Sequence, residues 1–324
     1  MSTALNSTSM NIPVIDFEPF VIGDITAQPK VAQEIYEACH EIGFMYLKNY
    51  GVPQDLIDRV FLQSQRFFDL PLEVKNQLAW SSEFSNRGYV GIGRERLDPN
   101  QPGDLKEAFN VGKEGPEATS PRPDNPALTQ NQWPLGEEEF RRTVLEFFKV
   151  CTEASNRVFR AFALALQLPD SFIIDKHTLQ EHVLRLLHYP PMNREPETGQ
   201  VRAGEHSDYG SLTLLFQDTV GGLEVKTAAG NWISAPCIPD TVLVNTGDLT
   251  QRWSNNVFRS TKHRVAIPTG DRIHQSRYSI AFFCQPDHDA EIACIESCQG
   301  ADNPPLYSPV LAGEYLISLL QATY

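Results

Sequence analysis

The stretch Gly204-Glu205-His206-Ser207-Asp208-Tyr209-Gly210-Ser211-Leu212-Thr213-Leu214-Leu215-Phe216 decides how the rest of the chain is read. In an extended strand alternate side chains face the same way. His206 and Asp208 would then project together, offering an imidazole nitrogen and a carboxylate oxygen to one metal ion. The triplet alone is weak: with 8 His and 41 acidic residues among 324, roughly one His-x-Asp/Glu arises by chance. Its support lies 57 positions further on, in Phe258-Arg259-Ser260-Thr261-Lys262-His263-Arg264-Val265-Ala266-Ile267-Pro268. This segment also reads as a strand and sets Thr261, His263 and Val265 on one face. Two imidazoles and one carboxylate on three corners of an octahedron leave three positions open. That suits oxygen activation at ferrous iron better than structural zinc.

Strand-like periodicity surrounds these segments. Val183 to Tyr189, Ser211 to Phe216, Leu223 to Val225, Trp232 to Ala235, Thr241 to Asn245, Thr261 to Ile267 and Arg277 to Cys284 read as short strands between Gly, Pro and Asn turns. This spacing predicts an all-β sandwich, jelly roll or barrel and disfavours parallel βαβ winding. Upstream, Ile12 to Phe17 and Phe44 to Leu47 read as strands, with a helix between them carrying Val31, Ala32, Ile35, Ala38 and Cys39. A second helix starts after Pro53, and the longest helical pattern runs from Gly136 to Gln167, suited to backing a sheet. Residues 81–126, rich in Gly, Pro, Asn and charge, read as a long functional loop, and Gly313 to Leu320 as a C-terminal helix.

A net charge of −14 and a pI near 5.0 argue against a nucleic-acid groove, which needs clustered Lys and Arg. Residues 1–11 lack a basic start and an apolar run, so they read as a flexible tail rather than a signal peptide, and no segment is apolar for long enough to span a bilayer. The six cysteines form no CxxC pair, as in reduced cytoplasmic proteins. The expectation is a cytoplasmic protein acting on a small molecule, with neither membrane nor obligate protein partner.

Arg277 and Ser279 lie two apart on a predicted strand, so a guanidinium and a hydroxyl share a face and can bind a carboxylate; Tyr189 is placed to add a third hydrogen bond. Arg264, pointing opposite to His263, reads as a structural ion pair, and Arg252 and Trp253 as framework. His40, His177, His182, His188, His274 and His288 lack partners at metal spacing and read as structural or exposed. Arg94, Arg96 and Phe109 from the loop region, and Phe283 from the Arg277 strand, are candidate substrate contacts.

The chain resembles the non-haem iron, 2-oxoglutarate-dependent dioxygenases of the isopenicillin N synthase-like family. Matching stretches include Ile12-Pro13-Val14-Ile15-Asp16, Asn49-Tyr50-Gly51-Val52-Pro53, Arg87-Gly88-Tyr89, Asp104-Leu105-Lys106-Glu107, Val244-Asn245-Thr246-Gly247-Asp248 and Arg277-Tyr278-Ser279. The resemblance implies a mainly β fold with α: a double-stranded β-helix (jelly roll) core, a helical N-terminal scaffold, one long backing helix and a C-terminal helix. Residues 12–324 are read as one domain, with scaffold and long helix in 12–180, the jelly-roll catalytic core in 181–290 and a C-terminal segment in 291–324. It further implies iron held by His206, Asp208 and His263, and 2-oxoglutarate held by Arg277, Ser279 and Tyr189. O2 is the second cosubstrate and ascorbate a further candidate. Oxidation would hydroxylate a small organic molecule with release of succinate and CO2. The alternatives are a same-fold oxidase that performs cyclisation or desaturation without 2-oxoglutarate, and a catalytically silent binding protein. The chain departs from plant members at Leu187-His188-Tyr189-Pro190, where those carry Asn-Tyr-Tyr-Pro; Leu187 lacks the amide.

Overall fold

In a computed structural model of the chain, the described residues are 11–79, 86–96, 102–115, 130–192, 196 and 198–323. Most of the expected tail, and parts of the expected loop at 81–126, lie outside them. The N-terminal part runs β1 (Val14–Asp16), α1 (Glu18–Ile22), α2 (Gln28–Glu41), β2 (Phe44–Lys48), α3 (Gln54–Phe68), α4 (Leu72–Asn76), β3 (Gly88–Val90), β4 (Glu107–Val111) and α5 (Glu138–Ala165). The remainder runs β5 (Val183–Tyr189), β6 (Ala203–His206), β7 (Leu212–Gln217), β8 (Leu223–Lys226), β9 (Trp232–Ser234), β10 (Thr241–Thr246), α6 (Asp248–Trp253), β11 (His263–Val265), β12 (Arg277–Cys284), β13 (Glu291–Ile292), β14 (Val310–Leu311) and α7 (Ala312–Thr323).

Eight strands form one sheet in the order β1-β2-β10-β7-β12-β5-β4-β3, and four form a second in the order β6-β11-β8-β9. The large sheet has helices on one face and the small sheet on the other, so both of its faces are buried. In β2, Met45 and Leu47 join the helical core, while Phe44 and Tyr46 join the core between the sheets. The same alternation sends Leu184 and Leu186 of β5 outward to the helices and Leu187 and Tyr189 inward. These strands therefore read as nearly continuous apolar runs.

Helix α5 spans 28 residues, about 42 Å of rise. Its stripe Phe140, Val144, Phe147, Cys151, Ala154, Val158 and Phe162 is buried against the sheet and neighbouring helices. Gly43, between α2 and β2, has φ +71°, and a Cβ there would collide with the Arg259 carbonyl oxygen, so only glycine fits. This close approach brings β2 against the β10–α6–β11 region, where Phe44 meets His263 edge-on at 5.4 Å between ring centres.

Two expectations are corrected. The extended strand expected to carry both His206 and Asp208 ends at His206: β6 belongs to the small sheet, β7, which takes up the expected Ser211–Phe216 strand, belongs to the large one, and residues 207–211 cross between them. The region read as a long loop holds β3 and β4, which extend the large sheet beyond β5. The strands from β5 to β12 pair antiparallel, as expected of that segment, and parallel pairing occurs upstream of it, between β1 and β2 across α1 and α2.

Candidate metal centre and cosubstrate pocket

His206 and His263 are direct partners across the antiparallel β6–β11 pair. Their rings lie 4.2 Å apart between centres. Asp208 sits two residues past the end of β6, in the crossover, rather than on the strand expected for it. Its position is fixed by the Asp248 amide, which donates to the Asp208 carbonyl at 2.8 Å, and by Gly247, where a Cβ would stand 2.9 Å from that carbonyl oxygen. Asp208 Oδ1 lies 3.9 Å from His206 Nε2 and 3.7 Å from His263 Nε2, and the three ligand atoms fall within 4.8 Å of one another.

The surrounding hydrogen bonds leave the correct atoms available. His206 Nδ1 donates to the Gly204 carbonyl at 2.8 Å and His263 Nδ1 to the Thr261 carbonyl at 3.2 Å, so each Nε2 carries the lone pair that faces its neighbours. Asn245 Nδ2 and Thr213 Oγ1 both donate to Asp208 Oδ2, at 2.7 and 2.6 Å, which leaves Oδ1 toward the histidines. Burial and the adjacent His263 push His206 down to about 3, so it is neutral at neutral pH. Burial works to raise Asp208, but the two imidazoles, Asn245 and Thr213 outweigh it and hold the carboxylate below its ordinary range. Two imidazoles that each present an Nε2 lone pair, with one carboxylate, fit a divalent iron and leave three positions open.

The centre opens into a cavity of about 170 Å³ between the sheets. Strand parity lines it: Val183, Arg185, Leu187 and Tyr189 from β5, with Arg277, Ser279, Ala281 and Phe283 from β12. Tyr189 pairs with Arg277 and Leu187 with Ser279 across these strands. Arg277 is 1 % exposed. It donates to Ser279 Oγ at 3.2 Å and Gln217 Oε1 at 3.1 Å, and its guanidinium lies 4.7 Å over the Tyr189 ring. Both acceptors are neutral, and Arg277 Nε has no partner among the described residues. No carboxylate is in direct contact with Arg277 among the described residues, although Asp218 lies within reach of its charge, and a buried guanidinium so placed can take a further anionic partner, which the dicarboxylate 2-oxoglutarate fits.

The remaining candidates separate. Phe283 lines the cavity. Phe109 does not, because its place in β4 turns it to the helical face, where it packs against Phe67 and Phe140; Asn110, one residue on, faces the cavity instead. Arg94 and Arg96 are exposed, whereas Glu95 between them is buried and lines the cavity. Arg264 pairs with Glu224 at 2.7 Å, and Arg252 stacks over Tyr307 and Tyr315 beside the buried Trp253. His188 bonds Glu107 and Ser276 on the far face of β5.

Sequence reading misses Asn245 and Thr213 on Asp208, Gln217 on Arg277, and the polar wall of Asn86, Glu95, Lys106, Arg185, Tyr209 and Gln285. A signal for Arg185 does exist, since it lies two and four residues before Leu187 and Tyr189 on one strand face. The others come from the segments beside β3 and β4, the 207–211 crossover and the end of β12, which no local spacing brings together.

Residues 180–286 match the profile of the 2OG-Fe(II) oxygenase superfamily, and residues 12–136 match that described as non-haem dioxygenase in morphine synthesis N-terminal. Similar proteins include the 2-oxoglutarate-Fe(II) type oxidoreductase hxnY of Emericella nidulans, 32% identical with 96% of this chain and 90% of that protein covered. The proline hydroxylase buaE of Petromyces alliaceus is 33% identical over 97% of this chain and 100% of that protein. A full-length Neurospora crassa protein, crystallised in complex with alpha-KG, superposes with a TM-score of 0.88 at 39% identity, covering 100% of both chains. The fold, the His-Asp-His centre and these matches agree: the chain belongs to the 2OG-Fe(II) oxygenase superfamily, a non-haem Fe(II)- and 2-oxoglutarate-dependent dioxygenase with a jelly-roll core.

Proposed function

We propose that this oxygenase, a single domain over residues 12–324 working in the cytoplasm, hydroxylates a small planar, uncharged polar heterocycle of the pyrimidine-base type. His206, Asp208 and His263 hold Fe(II), and Arg277, Ser279 and Tyr189 hold 2-oxoglutarate. Among the described residues no helix is long and apolar enough to cross a membrane. The observation that carries the substrate class is the cavity wall beyond the metal. It combines two aromatic rings, Tyr209 and Phe283, with the amides of Asn86, Asn110 and Gln285. Lys106 and Arg185 bring positive charge there, but Glu95 and Asp104 are paired with them, so the wall carries no net charge for a carboxylate substrate to neutralise. The Neurospora crassa protein has also been crystallised with alpha-KG and thymine, at 39% identity to this chain, which supports the same reading.

When bound, Fe(II) and 2-oxoglutarate supply the oxidising chemistry, consuming O2 and releasing succinate and CO2. The protein's part is position and dryness. His206, Asp208 and His263 would hold Fe(II) at the edge of the cavity, where open positions would be available to cosubstrate and O2. Arg277, its guanidinium covered on one face by the Tyr189 ring, would orient a carboxylate of the cosubstrate. Leu215, Leu223, Val265 and Ala281 furnish apolar walls that exclude water from the reacting centre. Succinate release in the presence of thymine, uracil, proline or a flavonoid tests the substrate class. Stimulation by a pyrimidine base with a hydroxylated product supports it, and stimulation by the others alone contradicts it.

A further inference from the structure

The Asp104-Leu105-Lys106-Glu107 stretch has a part in the metal centre that its sequence position does not announce. The β6–β11 pairing contains a register shift: His206 faces His263, but Ala203 rather than Gly204 faces Val265. Three residue steps on β6 thus oppose two on β11, the signature of a bulge, and bulges beside active sites re-aim side chains. The shift takes the Gly204 amide out of the ladder. It donates instead to Asp104 Oδ1 at 2.9 Å. The carbonyl of the same residue accepts from His206 Nδ1 at 2.8 Å.

Asp104 is itself held from the other side. Lys106 Nζ lies 2.5 Å from Asp104 Oδ2 and 2.9 Å from Glu95 Oε2, and Arg185 pairs with Glu95 Oε1. Asp104, Lys106 and Glu95 are 3, 8 and 6 % exposed, so this network is shielded from screening by solvent. The backbone is pinned too: the Asp104 amide donates to the Glu95 carbonyl at 3.1 Å and its carbonyl accepts from Gly93 at 3.0 Å.

We propose that Asp104 is a positioning residue for the metal ligand His206, acting through the Gly204 peptide at the β6 bulge, with Lys106 fixing the Asp104 carboxylate. One carboxylate oxygen is committed to Lys106 and the other to Gly204. The Gly204 peptide plane is thereby set, and with it the carbonyl that selects the His206 tautomer and aims Nε2 at Asp208 and His263. This inference rests on the assignment of His206 as a ligand, so its test reads metal binding separately from that assignment.

The experiment is anaerobic Fe(II) titration of the parent protein, Asp104→Ala, Asp104→Asn and His206→Ala, with near-UV circular dichroism to confirm folding. Outer partners of metal-bound histidines typically contribute about 10–100-fold in affinity. Asp104→Ala is expected to weaken Fe(II) by about that factor. Asp104→Asn keeps an oxygen for the Gly204 amide but gives up the Lys106 contact, and is expected to recover part of the loss. Parent-like affinity in Asp104→Ala would overturn the inference, as would equal weakening in both variants, which would assign the effect to lost charge. Parent-like affinity in His206→Ala would instead remove the underlying ligand assignment. Amide exchange at Gly204 in the unmodified metal-free protein gives a readout that needs no variant to fold. Strong protection is expected, and exchange at the rate of an open loop overturns the proposal.

Discussion

Arg277 and Tyr189 are cross-strand partners on β12 and β5, and the guanidinium carbon of one stands 4.7 Å from the ring centre of the other. The tyrosine thus contributes a stacking face. Such contacts are worth about 2 kcal/mol when desolvated, so replacing the ring with Leu should raise the 2-oxoglutarate KM by about tenfold or more. Tyr189→Phe should change it by less than about threefold. Equal damage from both would assign the effect to the hydroxyl. Arg277→Ala removes charge-assisted bonds of about 1.5–3 kcal/mol each and should raise the same KM about 100-fold or more, with Fe(II) affinity retained.

Leu187 faces Ser279 across the same strands and lines the cavity. An amide there adds one donor beside the cosubstrate site, a net gain of about 1 kcal/mol. Leu187→Asn is therefore expected to lower the 2-oxoglutarate KM several-fold in steady-state assays. An unchanged or higher KM would show that Arg277 and Ser279 already saturate the cosubstrate's polar needs.

Asn245 and Thr213 hold Asp208 Oδ2, and neither is a proposed ligand. Losing the amide in Asn245→Ala frees the carboxylate to rotate and should weaken Fe(II) by about 10–100-fold in a direct binding titration. Affinity equal to the parent would mean that the backbone bonds of the crossover suffice to orient Asp208.

His177 and His182 lie outside the metal centre, fully buried behind the large sheet. Burial pushes His177 down to about 4 and His182 well below the ordinary histidine range. His177 bonds the Ile173 carbonyl and Ser211 Oγ and is satisfied as a neutral ring, while His182 Nδ1 accepts from the Gln285 amide and its Nε2 has no hydrogen-bond partner among the described residues. Below about pH 6.5 the unfolded chain binds a proton at each that the folded chain refuses. Their contribution is therefore full above about pH 6.5 and is lost on acidification at about 1.4 kcal/mol per pH unit per histidine. Urea unfolding of the metal-free protein at about pH 7 and about pH 5.5, either side of the ordinary histidine value, reads this directly, and His177→Gln should flatten the slope. Equal stability at the two pH values would contradict it.

Legibility in the sequence follows burial. Strands β5 and β12 are readable end to end because each alternates between two apolar environments. In β4, Glu107 and Asn110 are buried with polar partners on opposite faces, so Glu107-Ala108-Phe109-Asn110-Val111 shows no apolar period and the segment reads as loop. The misplacement of Phe109 follows from that. The His206/His263 pairing is inferable from two strand segments. The crossover that carries Asp208 is not, because it depends on where the chain leaves one sheet for the other. The Glu95–Lys106–Asp104 network joins residues whose nearness depends on a fold in the β3–β4 connection, which periodicity does not report.

The central claim is that His206, Asp208 and His263 hold iron while Arg277 holds 2-oxoglutarate beside it. Anaerobic visible absorption during addition of Fe(II) and then 2-oxoglutarate tests it most directly, in the parent protein and in Asp208→Ala. A metal-to-ligand charge-transfer band that appears in the parent only after both additions, and is lost in the variant, is the predicted result. A full-strength band in Asp208→Ala, or none in the parent, would contradict the assignment.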